Sequence, residues 1–178
     1  MPRPRRSTSP TRSAPPSARP SARAGSAPSS RTRPFLIHEY VRWGDLDLAG
    51  IIFYGAYIRF YEMAETEFFR AVGLPFREMF ERFDIWLPRK VMHTEFFSPA
   101  RLDEELTVIT YVSHLGRTSL TINYDVVSRD GATLHAAAHQ VLVCVSRPTF
   151  EKQPIPEEVR KALAPYVMSS EEARAGAR

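Results

Sequence analysis

One helical pattern among strand-like runs is the feature that most restricts the fold. Between residues 57 and 72, apolar side chains recur every three or four positions, the spacing of an amphipathic helix. They are Tyr57, Phe60, Tyr61, Ala64, Phe68 and Val72. Gly73 and Pro75 are typical residues for ending such a helix. A single long helix with this much apolar surface has to be buried against a sheet.

Five strands are predicted around this helix, one before it and four after it. They cover residues 35–43, 85–97, 105–115, 117–129 and 133–147. Asp130 and Gly131 form a strong tight-turn signal between the last two strands. Shorter helices are predicted over residues 76–83 and 157–166. The residues alone therefore predict an α+β domain with one helix on an antiparallel sheet.

The two ends of the chain differ in composition from this domain. Residues 1–34 are almost entirely Arg, Pro, Ser and Ala, with eight arginines and no acidic residue. We expect a disordered tail there, because this composition cannot bury enough apolar surface to offset the entropy of ordering. A transit peptide is the alternative, but eight prolines would break its helix. The folded domain is predicted over residues 35–167, and residues 168–178 are predicted to be a polar C-terminal tail.

Charge and cysteine content exclude several classes of protein. The net charge of +4 comes from the N-terminal tail, because the rest of the chain holds 16 basic and 20 acidic residues. No nucleic-acid partner is therefore expected. No apolar run approaches the roughly 20 residues that span a membrane. The one cysteine, Cys144, lies in an apolar run, so we expect a buried hydrophobic residue in a reducing, cytoplasmic compartment.

An acidic, glycine-containing segment leads into the long helix. Asp45 and Asp47 precede the helical pattern, which begins at about Tyr54. A carboxylate beside the free N–H groups of a helix start combines a nucleophile or base with an oxyanion hole. A helix cap or Asx turn is the alternative role for Asp47. We expect Asp45 to be structural, because in an extended segment it would point away from Asp47.

The run from Asp45 to Tyr57 also carries a family resemblance. Its pattern, D-x-D-x-x-G-[IV]-[IV]-[FWY]-Y-x-x-Y, resembles the signature of the hot-dog-fold acyl-CoA thioesterases, in particular the 4-hydroxybenzoyl-CoA thioesterase and YbgC-like branch. The resemblance implies a hot-dog fold, in which an antiparallel sheet of about five strands wraps one long central helix. It further implies homodimers or homotetramers with active sites at the subunit interface.

The resemblance assigns roles to particular residues. Asp47 corresponds to the catalytic carboxylate, as nucleophile or general base, and the backbone amide of Tyr54 corresponds to the oxyanion donor. Substrate contacts are implied for Gly50, Phe53, Gly55, Tyr57, Arg117, Thr118 and Ser119, the last three near the coenzyme A nucleotide. Tyr54 stands where YbgC-like proteins often have histidine, which favours an aromatic or bulky acyl group. Coenzyme A is part of the substrate, and no metal or further cofactor is expected.

Two other functions remain open at this point. A hot-dog dehydratase or hydratase would pair a histidine with a carboxylate, and there is no histidine near residues 45–57. A non-catalytic module that binds acyl thioesters is the third possibility. Glu65 on the helix could also approach a pocket, although an ion-paired helix face is the usual position for such a residue. Arg89, Lys90 and Arg101 are weaker candidates for phosphate contacts.

Overall fold

A long helix, α1 (Tyr57–Ala71), packs on one face of a five-stranded antiparallel sheet. The structure is a computed structural model that describes residues 33–177. The strands are β1 (Phe35–Tyr40), β2 (Ile85–Trp86), β3 (Arg89–Phe96), β4 (Glu105–Leu115), β5 (Ser119–Ser128), β6 (Leu134–Val143) and β7 (Val145–Ser146). The order in the large sheet is β1-β4-β5-β6-β3, so that β1 and β3 are its edges, and β2 pairs with β7 in a small separate sheet.

The apolar side of α1 and the inner face of the sheet, the face that α1 covers, form the main core. Tyr61 of the helix stacks on Tyr124 of β5 with ring centroids 5.2 Å apart, and both side chains are fully buried. Phe60, Ala64 and Phe68 are also fully buried. The residues predicted to form the apolar side of the helix therefore do so, as expected from their spacing.

Three shorter helices complete the fold. They are α2 (Phe76–Phe83), α3 (Glu157–Leu163) and α4 (Ser170–Gly176). α2 has the predicted bounds, and the second predicted helix, residues 157–166, consists of α3 followed by a 3-10 turn. None of the helices in residues 33–177 is both long enough and apolar enough to cross a membrane.

Two of the predicted strands are each divided in two. The run 85–97 becomes β2 and β3, separated at Leu87 and Pro88. Proline has no N–H to donate to a strand ladder, so it interrupts the pairing there. The run 133–147 becomes β6 and β7, separated at Cys144, whose N–H donates to the Thr118 carbonyl instead. Cys144 is fully buried, as predicted.

The C-terminal residues described from sequence as a polar tail form helix α4. Ser169 and Glu172 make a capping box at its start. Ala173 packs on the outer face of the sheet, which points away from α1, against a second apolar cluster that includes Ile109 and Val127. Arg174 donates to the buried carboxylate of Asp125 at 2.6 Å. This mostly polar segment therefore packs on the sheet through a few small apolar residues and through the ion pair between Arg174 and Asp125.

The prediction of a disordered N-terminal tail, residues 1–34, lies almost entirely outside the described residues. Residues 33 and 34 lead directly into β1. Pro34 contacts the C-terminal end of α4, where its Cδ lies 3.0 Å from the position that a Cβ on Gly176 would occupy. The first described residues and the last helix therefore meet at one place on the outer face.

Candidate active site

Asp45 anchors the acidic segment to helix α1. Residues Trp43–Asp45 form a short 3-10 turn rather than the extended segment expected from sequence. Arg59 of α1 donates through Nε to Asp45 Oδ1 at 3.0 Å and through Nη2 to Oδ2, and the Arg42 N–H donates to Oδ2 at 2.8 Å. Asp45 is buried, and this structural role agrees with the one expected for it. The turn forms because the Asp45 carboxylate accepts hydrogen bonds from both a backbone N–H and a side chain of the helix.

Asp47 follows on the exposed side of the same loop. Its Oδ1 accepts the Ala49 N–H at 2.8 Å, which is an Asx turn, and its carbonyl accepts the Gly50 N–H at 3.0 Å. Gly50 has φ +71°, a conformation that favours glycine. Oδ2 of Asp47 has no hydrogen-bond partner among residues 33–177. The Asx turn therefore orients the carboxylate and leaves one oxygen available.

Tyr54 lies in a turn just before α1 and not in the helix itself. The helix begins at Tyr57, three residues later than the start suggested by the sequence pattern. Phe53 donates its N–H to the Asp45 carbonyl at 3.1 Å, and its own carbonyl accepts the Ala56 N–H at 3.0 Å. Within the described residues, the Tyr54 N–H has no acceptor. A Cβ at Gly55 would lie 2.6 Å from the Phe53 ring, so any other residue here would displace that ring.

Asp47 and Tyr54 line the same concave pocket, which we call the Asp47 pocket. Its volume is about 400 Å³, within the usual range for small-molecule sites. Its lining residues are Asp47, Ile51, Ile52, Phe53, Tyr54, Tyr57, Phe96, Phe97, Ser98 and Pro99. The Tyr57 and Phe96 rings pack with centroids 5.2 Å apart. Burial, and then the nearby Glu104 carboxylate, raise the pKa of Tyr57 to about 12, which keeps its hydroxyl neutral at neutral pH.

A buried histidine, which sequence reasoning missed, supports one wall of this pocket. The His135 carbonyl accepts the Phe97 N–H at 2.9 Å, and its Nδ1 lies 3.3 Å from the Ser98 carbonyl oxygen. Its Nε2 lies 3.0 Å from Glu104 Oε1, although the two are not aligned as a hydrogen bond. Glu104 Oε2 accepts the Arg101 N–H at 3.0 Å. No local motif marks this arrangement, because it joins residues from three separate segments.

Arg117, Thr118 and Ser119 lie at the opposite end of the sheet from Asp47. Arg117 and Thr118 lie in the β4–β5 turn and Ser119 begins β5. The Asp47 loop, in contrast, is hydrogen-bonded to the segment before β4, where the Ile52 N–H donates to the Ala100 carbonyl at 3.0 Å. β5 runs between these two ends over ten residues, which is about 30 Å at roughly 3.3 Å per residue. Within one chain, the two predicted parts of the site are therefore not brought together.

The remaining candidate residues have structural partners. Arg89 donates to the buried carboxylate of Glu65 through Nη2 and to Gln140 Oε1 at 2.7 Å. Glu65 is thus ion-paired, as expected, although it is buried rather than exposed. Arg101 pairs with Ile51 through a β-bridge that holds the Asp47 loop. Among the described residues, no cluster of three His, Cys, Asp or Glu side chains could hold a metal ion.

The fold and the pocket together define the class of protein. An antiparallel five-stranded sheet on one long helix, with an acidic loop and an apolar pocket at the start of the helix, is the hot-dog fold of the thioesterases. The chain belongs to the Thioesterase-like superfamily, whose pattern it matches over residues 41–163. This assignment confirms the resemblance and the fold predicted from the acidic segment.

Individual relatives have low sequence identity to this chain but match it over most of their own length. The acyl-CoA thioester hydrolase YbgC of Escherichia coli is 28% identical over 119 residues, covering 67% of this chain and 87% of that protein. The structure of a 1,4-dihydroxy-2-naphthoyl-CoA thioesterase from Synechocystis superposes with a TM-score of 0.68 at 22% identity, covering 73% of this chain and 95% of that one. A gentisyl-coenzyme A thioesterase structure has a TM-score of 0.63 at 26% identity, covering 72% and 98%.

Proposed function

We propose that this protein hydrolyses an acyl-CoA thioester to a carboxylic acid and free coenzyme A. The observation that carries the proposal is that one pocket is lined by both Asp47 and Tyr54, which have a carboxylate oxygen and a backbone N–H without partners among residues 33–177. Thioester hydrolysis needs an oxygen that attacks the carbonyl carbon and a donor that stabilises charge on the carbonyl oxygen. Family membership supports this reaction class.

Two routes use Asp47 in different ways. In the first, a carboxylate oxygen attacks the carbonyl carbon, the thiolate of coenzyme A leaves, and water hydrolyses the resulting mixed anhydride. In the second, Asp47 takes a proton from a water molecule as that water attacks, and the thiolate leaves from the tetrahedral intermediate. In both routes the Tyr54 N–H donates to the oxyanion, and the positive end of the α1 dipole favours the same charge.

We propose an aromatic acyl group as the preferred substrate. Phe53, Tyr57, Phe96 and Phe97 contribute rings to the pocket, and Tyr57 also offers a neutral hydroxyl. Two of the related structures carry the names of aromatic acyl-CoA thioesterases, for 1,4-dihydroxy-2-naphthoyl-CoA and gentisyl-CoA. Flat apolar walls of this kind bind an aromatic ring through offset and edge-to-face contacts.

We further propose that the active enzyme is a homodimer or homotetramer. The edge strand β3 is exposed along most of its length, including the apolar side chains of Val91, Met92 and Phe96. An exposed edge with apolar side chains is suited to pairing with a second copy. In such an assembly the coenzyme A site is completed by Arg117, Thr118 and Ser119 of a partner chain. The same three residues of the first chain lie too far from its own Asp47 to do so. Arginine is well suited to phosphate oxygens.

Thiol release from a panel of acyl-CoAs tests the activity and the preference together. We expect faster release from benzoyl- and hydroxybenzoyl-CoA than from short straight-chain thioesters. In a single-turnover reaction in H₂¹⁸O, label found in Asp47 would establish the anhydride route, because the general-base route places the label only in the product acid. Absence of thiol release from every thioester would contradict the proposed function. The dehydratase alternative gains no support, since no histidine lines the Asp47 pocket among the described residues.

A further inference from the structure

A second cavity lies on the outer face of the sheet, away from the Asp47 pocket. We call it the outer cavity; its volume is about 380 Å³. It is bounded by β1, β4, β5, the β5–β6 turn and the C-terminal end of α4, and it shares no residue with the Asp47 pocket. The lining residues that matter here are Leu36, Ile109, Val127, Arg129, Ala132 and Arg174.

The floor of the outer cavity is apolar and buried. Ile109 and Val127 belong to the second hydrophobic cluster, and Leu36 and Leu134 pack against the same cluster. Part of this face is covered by Ala173 of helix α4 and by Ala177, which directly follows the helix. The cavity is therefore the part of an apolar surface that α4 leaves open, with a size suited to a small molecule.

Two arginines at the rim have unused hydrogen-bond donors. Arg174 donates only its Nε–H, to Asp125 at 2.6 Å, and neither of its Nη groups has a partner within residues 33–177. Arg129 places Nε 3.2 Å from Glu105 Oε1 and Nη1 3.3 Å from His38 Nε2, while its Nη2 has no partner in the same range. A guanidinium carries five N–H donors in a fork that matches a carboxylate.

We propose that the outer cavity is a second ligand site, which binds a small monocarboxylate with an apolar body. The carboxylate contacts Arg174 and Arg129, and the apolar body lies on Leu36, Ile109 and Val127. Asp130 also lines the cavity, and its carboxylate accepts the Ser128 hydroxyl at 2.6 Å and the Ala132 N–H at 3.0 Å. These two hydrogen bonds lower the pKa of Asp130. Its negative charge opposes any anionic ligand, and it opposes dianions and phosphate-bearing ligands such as coenzyme A more strongly than a single carboxylate.

Amide chemical shifts of the full chain, titrated with benzoate and with octanoate, test this proposal. We expect a saturable perturbation of Leu36, Val127 and Gly131 by at least one of these acids. Asp47→Asn should leave this perturbation unchanged, since the Asp47 pocket is not involved. Benzamide, which has the same ring without the charge, should bind at least tenfold more weakly than benzoate.

Substitutions on the β5–β6 turn provide a matched pair. Ala132→Trp places a large side chain into the cavity from an exposed position, whereas Thr133→Trp makes the same change at an exposed neighbour that does not line it. We expect Ala132→Trp to raise the dissociation constant at least tenfold and Thr133→Trp to leave it unchanged. Arg129→Gln should also weaken binding.

Four results would overturn the proposal. They are shift changes confined to the Asp47 pocket, equal affinities of the two tryptophan variants, equal binding of benzamide and benzoate, and failure to bind either acid. None of these outcomes bears on thioester hydrolysis, because thiol release is measured separately and at a different pocket.

Discussion

Arg59 on helix α1 holds Asp45 with two hydrogen bonds, and Asp45 lies two residues before Asp47. The pair links the first turns of the helix to the loop that carries the proposed catalytic carboxylate. The position of Asp47 relative to the Tyr54 N–H therefore depends on a charge pair whose two residues do not themselves line the Asp47 pocket.

Removing Arg59 should therefore impair both stability and turnover. Arg59→Met leaves the buried Asp45 carboxylate without its cation, which we expect to cost about 3 kcal/mol of unfolding free energy. Turnover should fall roughly tenfold or more, because small displacements of a reacting group are costly. Urea denaturation and thiol release measure the two effects. In the double variant with Asp45→Asn most of the stability should return, and two additive losses would contradict the coupling.

Activity should depend on the chemistry of the side chain at position 135, because His135 supports one wall of the Asp47 pocket. His135→Asn retains a donor near Nδ1 that can reach the Ser98 carbonyl, whereas His135→Leu retains none. We expect kcat/KM to fall roughly tenfold in the leucine variant and by less than about threefold in the asparagine variant. His114→Leu, at an exposed histidine, is the control. Equal losses in the two His135 variants would mean that only the volume of the side chain matters.

Sequence patterns predicted the parts of the fold that depend on local periodicity. The spacing of Tyr57, Phe60, Tyr61, Ala64 and Phe68 located helix α1, and the alternating run from Glu105 to Leu115 gave the bounds of β4. These predictions succeed because the spacing of apolar residues within one segment is enough to identify a helix or a strand. The alternation did not predict burial within β4, where seven consecutive residues are buried because α1 covers one face and α4 part of the other.

Other features depend on contacts between distant segments and left no local signal. Helix α4 is too polar to be recognised by periodicity, and it docks because Arg174 meets Asp125, 49 residues earlier. The contact between His135 and Ser98 in the wall of the Asp47 pocket was also missed, because 37 residues separate the two in the sequence. The acidic segment was predicted only in part. Its local motif identified the family, but its 3-10 turn depends on the hydrogen bonds from Arg59, which the local pattern does not reveal.

Glu65 should make stability depend on pH in a defined direction. Burial raises the pKa of its carboxyl, and the Arg89 guanidinium opposes that rise. The folded chain then binds this proton more tightly than the unfolded chain, so its contribution to unfolding free energy decreases as pH rises from the ordinary carboxyl range to the raised pKa. Urea denaturation at pH 5 and pH 8 should show that the stability of wild type relative to Glu65→Gln is greater at pH 5. Glu81→Gln, at an exposed position on α2, should show no such change, and a difference that grew with pH would contradict the assignment.

Cys144 should not react with disulfide reagents in the folded protein. The thiol is fully buried, and burial raises its pKa to about 11, so little thiolate forms at pH 8. We expect less than about a tenth of one equivalent to react with Ellman's reagent in the native state and one equivalent in denaturant. Rapid native labelling would indicate that the structure opens locally around Cys144. The measurement also serves as the background for thiol-release assays.

The most direct test of the central claim is the turnover of Asp47→Asn on the best acyl-CoA found for wild type. Asparagine keeps the size of the side chain and its acceptor for the Ala49 N–H, so the loop should fold while the attacking or proton-accepting oxygen is lost. We expect turnover to fall at least about 100-fold with an unchanged melting temperature. Asp84→Asn, at a left-handed position that asparagine tolerates, is the control and should retain full activity. Near-normal turnover by Asp47→Asn would contradict the assignment of Asp47 as the catalytic carboxylate.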